Sequence, residues 1–382
     1  MTAAPGGRAP EPAAGAPRAA FLDQLKVALT ALVIAHHLAI SFGASGSWYY
    51  RDPAAPDSLG LSVFTTINQA FFMGLFFFIS GYFTPGSLDR KGPRRFLADR
   101  AVRLLVPVVG FGVAIAPGLE YVKRISLGRP TPPLLAYYPQ RIAELREFDP
   151  GPLWFLWALF LGNAGYAVWR AVAARPAGGA GRRREVTGPM LAGLAAGIAG
   201  ATALVRLRWP IGDNVLHIQI AYLPQYVVMF GAGIAAQRHR SLEARSPRLG
   251  PVAAALALTG VALLAGAYAI AGSVEQLLGH AHRPAVLWTT GESLLCVGLS
   301  AGLLIGFQRA GWTTGRVGRA LGAGAFAAYV LHAPIVVLLA LAASALPGPA
   351  LAKLAATVLI AIPASFAAGI AAHRAPVLRR VL

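Results

Sequence analysis

A chain of 382 residues is long enough for two soluble domains, but 56% hydrophobic and 13% charged residues exclude an ordinary soluble fold. The formal net charge of +19 would suit nucleic acid, but the basic residues fall between apolar runs, which excludes a compact basic face. A single cysteine, Cys296, excludes a disulfide within the chain and a cysteine-based metal site.

Residues 1–20 are rich in Ala, Pro and Gly and read as a disordered cytoplasmic tail, not a cleavable signal peptide, because no apolar core precedes the first span. Apolar runs of membrane-spanning length follow at about 21–42, 63–83, 98–118, 152–172, 189–205, 219–237, 250–271, 286–308, 320–341 and 351–372. The expected fold is therefore an all-α polytopic membrane protein of about ten transmembrane helices, with the membrane domain over 21–373 and a tail at 374–382. With both termini cytoplasmic, 24 Lys and Arg lie on the inside and ten on the outside. That is the bias expected of cytoplasmic loops, with Arg206 and Arg208 as exceptions. The basic charge is then explained by topology and anionic lipid, and the bilayer rather than nucleic acid is the expected partner.

The first run carries the most informative polar residues. Lys26 and His37 are eleven apart, so on an α-helix they share a face, about 16 Å apart along the axis. Asp23 and Thr30 lie on the same stripe, and His36 is rotated about 100° away. This register puts Lys26 near a membrane surface and His37 near the bilayer centre. Ionisable groups at that depth usually face an interior or a wet cavity and serve a function. Asp23 is expected to pair with Lys26.

After the second run, Ser80-Gly81 is a small-residue step that lets another helix approach closely. Arg100 and Arg103 are three apart, adjacent on one face at the start of the third span. Arginine suits phosphate through its forked donors. The long outer segment 119–151 carries Pro130, Pro132, Pro133 and Pro139 ahead of Arg141–Asp149, and a short amphipathic helix there would cap the mouth of a site. Segment 173–188, with Arg182-Arg183-Arg184 among glycines, reads as a flexible cytoplasmic loop. Further polar candidates are Glu292, beside Thr289 and Thr290 in the eighth span, and His332, between Tyr329 and Pro334 in the ninth. Asn68 and Gln69 with Trp48-Tyr49-Tyr50 sit on the outer side, where aromatic rings beside amides suit a sugar as well as a membrane interface. His217, His280 and His282 lie in outer loops, lack a third ligand, and imply no metal.

These residues also carry a resemblance. Leu22-Asp23-Gln24-Leu25-Lys26 followed by His37, Phe77-Phe78-Ile79-Ser80-Gly81-Tyr82-Phe83, and Phe96-Leu97-Ala98-Asp99-Arg100-Ala101-Val102-Arg103-Leu104 resemble the acyltransferase 3 family of integral-membrane acyltransferases. Gly151-Pro152-Leu153-Trp154-Phe155-Leu156 and Tyr329-Val330-Leu331-His332-Ala333-Pro334 are similar to it too. The family's first motif is a basic residue, usually arginine, ten residues and then histidine; here Lys26 replaces the arginine. Its second motif, two arginines three apart, is intact in Arg100 and Arg103.

The resemblance implies transfer of an acyl group, acetyl or succinyl, from cytoplasmic acyl-CoA to a hydroxyl of a carbohydrate or other envelope or secreted acceptor, in the plasma membrane of a bacterial-type cell. Lys26, Arg100 and Arg103 would hold the acyl-CoA phosphates. His37 would act as general base or as an acyl relay, with Glu292 and His332 as further catalytic candidates. Asp23, Trp48, Asn68, Gln69, Trp154 and Tyr329 are the candidate substrate-contacting residues. The rival class is a transporter or flippase of a small polar or lipid-linked molecule. It would call for inverted repeats or paired broken helices; the signature residues cluster in the first third with no counterpart in the second half, which counts against it.

Overall fold

The structure is a computed structural model. It describes residues 20–143, 148–173, 183–243, 248–279, 282–310, 315–376 and 378–382. The N-terminal tail, Arg182 and His280 lie outside the described residues. The architecture is all-helical, and the described residues add one two-stranded hairpin, Asn214–Val215 with Ile218–Gln219.

Each expected span is met by a helix. These are α1 (Ala20–Ser41), α2 (Leu59–Lys91) and α3 (Pro93–Gly110), which runs on through a π-helical segment, Phe111–Ile115, into α4 (Ala116–Ser126). After the short α5 (Leu134–Ala143) come α6 (Trp154–Val172), α7 (Gly188–Arg206), α8 (Leu223–Arg238) and α9 (Leu249–Ile270). The short α10 (Glu275–Leu278) precedes α11 (Arg283–Arg309), α12 (Arg316–Ser344) and α13 (Ala350–Arg374). By length and composition, 8 helices among the described residues can cross a membrane, with α3 and α4 counted as one. The two expected spans outside that set are α6, whose interior is interrupted by Asn163, and α8, which has 16 residues.

Several helices start on a proline at the first or second position, where its missing N–H costs nothing. Their packing relies on small residues. A Cβ on Gly81 would lie 2.1 Å from the Phe230 carbonyl, and one on Gly233 equally close to that of Phe78, so α2 and α8 touch backbone to backbone. This is the close approach expected at Ser80-Gly81.

Polar contacts fix how the helices alternate. The bundle has an inner end, where α1 begins, and an outer end, where it finishes. At the inner end Asp89 of α2 binds Arg170 of α6 at 3.1 Å and Arg238 of α8 at 2.8 Å. Gln24 donates to the Gly318 carbonyl, joining the starts of α1 and α12. At the outer end buried Asp52 binds Lys353 at 3.3 Å, and the Tyr50 hydroxyl donates to Ser344 at 2.6 Å. These two bonds pin the loop between α1 and α2 onto the turn between α12 and α13.

Candidate active site

His37 lies four residues before the end of α1. Thr30 is at the middle of the helix, and His37 is in its outer third. The Lys26–His37 stripe is as the spacing requires, and Thr30 and Val33 between them are each 2% exposed.

The outer-end loop folds back so that the Trp48 ring stacks on His37, with centroids 3.7 Å apart and planes 13° apart. His332 of α12 lies against the other partners of this stack, 5.3 Å from His37 and 6.1 Å from Trp48. Pro334 has no N–H to offer the Val330 carbonyl, and in this loosened turn His332 Nδ1 sits 2.5 Å from the Tyr329 carbonyl. A carbonyl only accepts, so Nδ1 carries the proton, and the neutral ring keeps its lone pair on Nε2. That nitrogen is buried with no protein partner, as are His37 Nδ1 and Trp48 Nε1. Unpaired buried nitrogens on three touching rings are costly to keep, so their presence points to a ligand-binding role. His36 points away, as its rotation demands, and its ring lies 5.2 Å from Phe72 of α2.

A cavity of about 210 Å³ opens beside the stack, lined by His37, Ser47, Trp48, Lys123, Asp149 and Trp154. Its far wall is the segment before α6. Asp149 accepts from the Tyr49 hydroxyl at 2.8 Å and from the Gly151 N–H at 2.8 Å. Burial, and next the Asp149 carboxylate, push the Tyr49 phenol well above its ordinary pKa, so it stays a donor. Gly151 has φ +50, and a Cβ there would lie 2.3 Å from the Tyr49 oxygen. Only glycine combines that backbone with that contact. The Tyr329 hydroxyl donates to the carbonyl of Pro152, the next residue. The Gly-Pro-Leu-Trp stretch thus anchors Tyr49 and Tyr329 and delivers Trp154 to the cavity.

The three expected donor-binding cations lie at the inner end. Lys26 pairs with Asp23 at 2.7 Å, as expected, and its Nζ lies 5.5 Å from the Phe83 ring of α2. Arg103 lies 5.1 Å from the Phe326 ring of α12, and Arg100 lies 5.3 Å from Phe96. None of the three lines the His37 cavity. Phe76, Phe155 and Tyr329 stand between, with ring centroids 5.6–6.5 Å apart. Along α2, Phe76 falls between Phe72, beside His36, and Phe83, beside Lys26. Along α12, Tyr329 falls between Phe326, beside Arg103, and His332.

Other expectations are redirected. Glu292 does not reach His37; it forms a buried ion pair with Arg206 at 2.7 Å, both side chains under 5% exposed, and lies 3.4 Å from the Tyr222 hydroxyl. Arg206 also donates to Thr289 at 3.0 Å. The charge that broke the inside–outside pattern is therefore a buried partner rather than a surface anchor. Asn68 and Gln69 sit in the third turn of α2 and do not line the cavity; Asn68 is buried with an unpartnered Nδ2. Sequence reading passed over Ser47, Lys123, Asp149, Gly151 and Pro152 as cavity residues. Asp-Pro-Gly-Pro directly before an aromatic helix start is a turn signal that would have directed attention to them. The short helix expected in 119–151 is α5, and its Arg141 and Ile142 border a second, smaller cavity. Among the described residues no group of three or more His, Cys, Asp or Glu is placed to hold a metal.

The bundle and its histidine-lined cavity define a multi-pass membrane protein with a polar site near one surface. A family profile described as an acyltransferase domain matches residues 19–373. The chain belongs to the acyltransferase 3 family. It is also similar to glucans biosynthesis protein C of Salmonella schwarzengrund, with 32% identity over 150 residues, 38% of this chain and 37% of the relative. The same protein of Salmonella heidelberg and of Salmonella agona matches at 31% over 150 residues with the same coverage. The matched stretch thus spans little more than a third of these relatives' length. No solved structure matches the chain.

Proposed function

We propose that the protein transfers an acyl group, acetyl or succinyl, from acyl-CoA to a hydroxyl of a carbohydrate or other envelope or secreted acceptor. The observation that carries this reading is the stack of His37, His332 and Trp48 on a polar cavity, in a chain of this family. The inner end faces the cytoplasm, in keeping with the excess of Lys and Arg there, and the membrane is the plasma membrane of a bacterial-type cell. The donor's phosphates rest on Arg100, Arg103 and Lys26, which lie towards the inner ends of α3 and α1. Its thioester arm reaches His37 when the Phe76–Phe155–Tyr329 layer parts.

The acceptor enters the outer cavity. Its hydroxyl oxygen attacks the thioester carbonyl carbon, a C–O bond forms and the C–S bond breaks. His37 takes the hydroxyl proton as general base and returns it to the departing thiolate. His332, held by the Tyr329 carbonyl, lies against His37 and fixes its ring. The glucan in the relatives' name makes a glycan the leading acceptor class.

The test is a comparison of the masses of envelope and secreted glycans from cells with and without the protein, alongside acyl-CoA binding by the purified chain. An added acyl mass that needs His37, with saturable acyl-CoA binding weakened by Arg100→Ala, is expected. Indifference to acyl-CoA would place the protein with transporters instead.

A further inference from the structure

The helix formed by α3 and α4 changes pitch beside the site. One turn after Pro107 it passes into the π segment Phe111–Ile115. Such single-turn bulges are rare and occur frequently at functional sites. Gly112 has no side chain, and the Phe148 ring occupies the space one would fill: a Cβ there would lie 2.2 Å from that ring.

Against this contact lies the second cavity, of about 60 Å³, lined by Val113, Pro117, Glu120, Arg141, Phe148 and Asp149. Asp149 lines both cavities, so they adjoin at this residue. Glu120 and Lys123, one turn apart on α4 and 3.9 Å from each other, border one cavity each. The junction is held rigidly, because Asp149 is fixed by the Tyr49 hydroxyl and the Gly151 N–H. Each carboxylate oxygen still has a lone pair to offer a ligand.

The two compartments have related chemistry. The larger sets the Trp48 and Trp154 indoles beside His37, with Lys123 and Asp149 at the rim. The smaller sets the Phe148 ring beside two carboxylates and a guanidinium. A flat apolar ring flanked by charged hydrogen-bonding groups suits a saturated ring bearing several hydroxyls. At about 10–15 Å³ for each water, the smaller cavity holds roughly four to six waters, room for part of one such unit and not for a chain. Glu120 and Asp149 against Arg141 leave it without a cationic excess, so a neutral unit fits better than a phosphorylated one.

We propose that the acceptor is a neutral glycan of at least two linked sugar units. The unit that receives the acyl group sits in the His37 cavity, its neighbour reaches with part of its ring into the cavity at the π segment, and Asp149 contacts both across the linkage. The proposal rests on the acyl-transfer reading of the larger cavity and adds the acceptor's charge, class and minimum length.

The experiment is binding of glucose, cellobiose, cellotriose and cellotetraose to the detergent-solubilised full chain by calorimetry. Wild type, Val113→Trp and Glu120→Gln are compared, with acetyl-CoA binding measured on the same wild-type preparation. Val113 is partly exposed, so an indole is accommodated at the surface and fills the smaller cavity; Glu120→Gln alters the chemistry without changing volume. Affinity is expected to rise roughly tenfold from one unit to two in wild type, and the rise is expected to shrink in both variants. Equal affinity for all lengths, a rise that survives both substitutions, or no binding of any of these sugars would overturn the proposal. If wild type binds acetyl-CoA without any dependence on sugar length, the two-unit acceptor alone fails. If wild type does not bind acetyl-CoA, the transfer reading beneath it fails.

Discussion

The two ends of α1 are built on different plans. At the outer end His37 is locked among rings, lines a cavity, and keeps a nitrogen without a partner. At the inner end Lys26 and, on α3, Arg100 and Arg103 lean on single aromatic rings and do not line the His37 cavity. The outer end packs its rings against one another, whereas the inner end presents long cationic side chains against single rings. Preorganised geometry suits the reacting centre, and long cationic side chains suit capture of phosphates.

The difference can be broken most forcefully at His37. His37→Ala is expected to lower acyl transfer by about 10²–10⁴-fold while acyl-CoA binding persists, checked by turnover and by equilibrium binding. Parallel loss of binding would mean that the two ends are one site.

Next in size is a region outside both. Arg206→Met strands Glu292 in the bundle and is expected to cost about 3–5 kcal/mol of stability, read as a fall in the unfolding midpoint of the solubilised protein. Arg206→Met with Glu292→Leu removes both charges and is expected to recover most of it. If the double variant is stable yet inactive, Glu292 has a chemical role that its distance from His37 does not suggest.

A smaller effect is expected at the inner end. Arg100→Ala should weaken acyl-CoA binding by about 1.5–3 kcal/mol, the loss of one charged contact, with the turnover of bound donor retained. The smallest concerns support of the cavity wall. Tyr49→Phe removes one bond to Asp149, at a cost of about 1.5–3 kcal/mol before relaxation, and should raise the acceptor's KM more than it lowers kcat. The Tyr49 phenol should also fail to ionise as ultraviolet absorbance is followed through the ordinary tyrosine range, because burial and Asp149 hold its pKa high.

Much of this plan was legible in the residues. Apolar runs of spanning length located the helices, because lipid forces every backbone group into an internal bond and leaves little choice. The Lys26–His37 stripe, the turned-away His36, the Asp23–Lys26 pair and the close approach at Gly81 all follow from helical geometry alone. What was hidden depends on contacts between distant segments. That the loop after Ser41 folds back so that Trp48 covers His37 could not be read from helical period. The partner of Glu292, Arg206, was not legible because it lies on another helix 86 positions away. Lys123 looked like an ordinary outer-loop charge because the helix runs on through the π segment and, as α4, past the expected span end.

The central claim is that donor and acceptor approach His37 from opposite sides of the membrane. It is tested most directly by replacing Cys296 with alanine and introducing a single cysteine either at Ser47, on the cavity wall, or at Arg94, beside the inner cations. A membrane-impermeant maleimide applied to intact cells should label Ser47→Cys and leave Arg94→Cys unlabelled until the membrane is opened. Labelling of both from the same side would contradict the account.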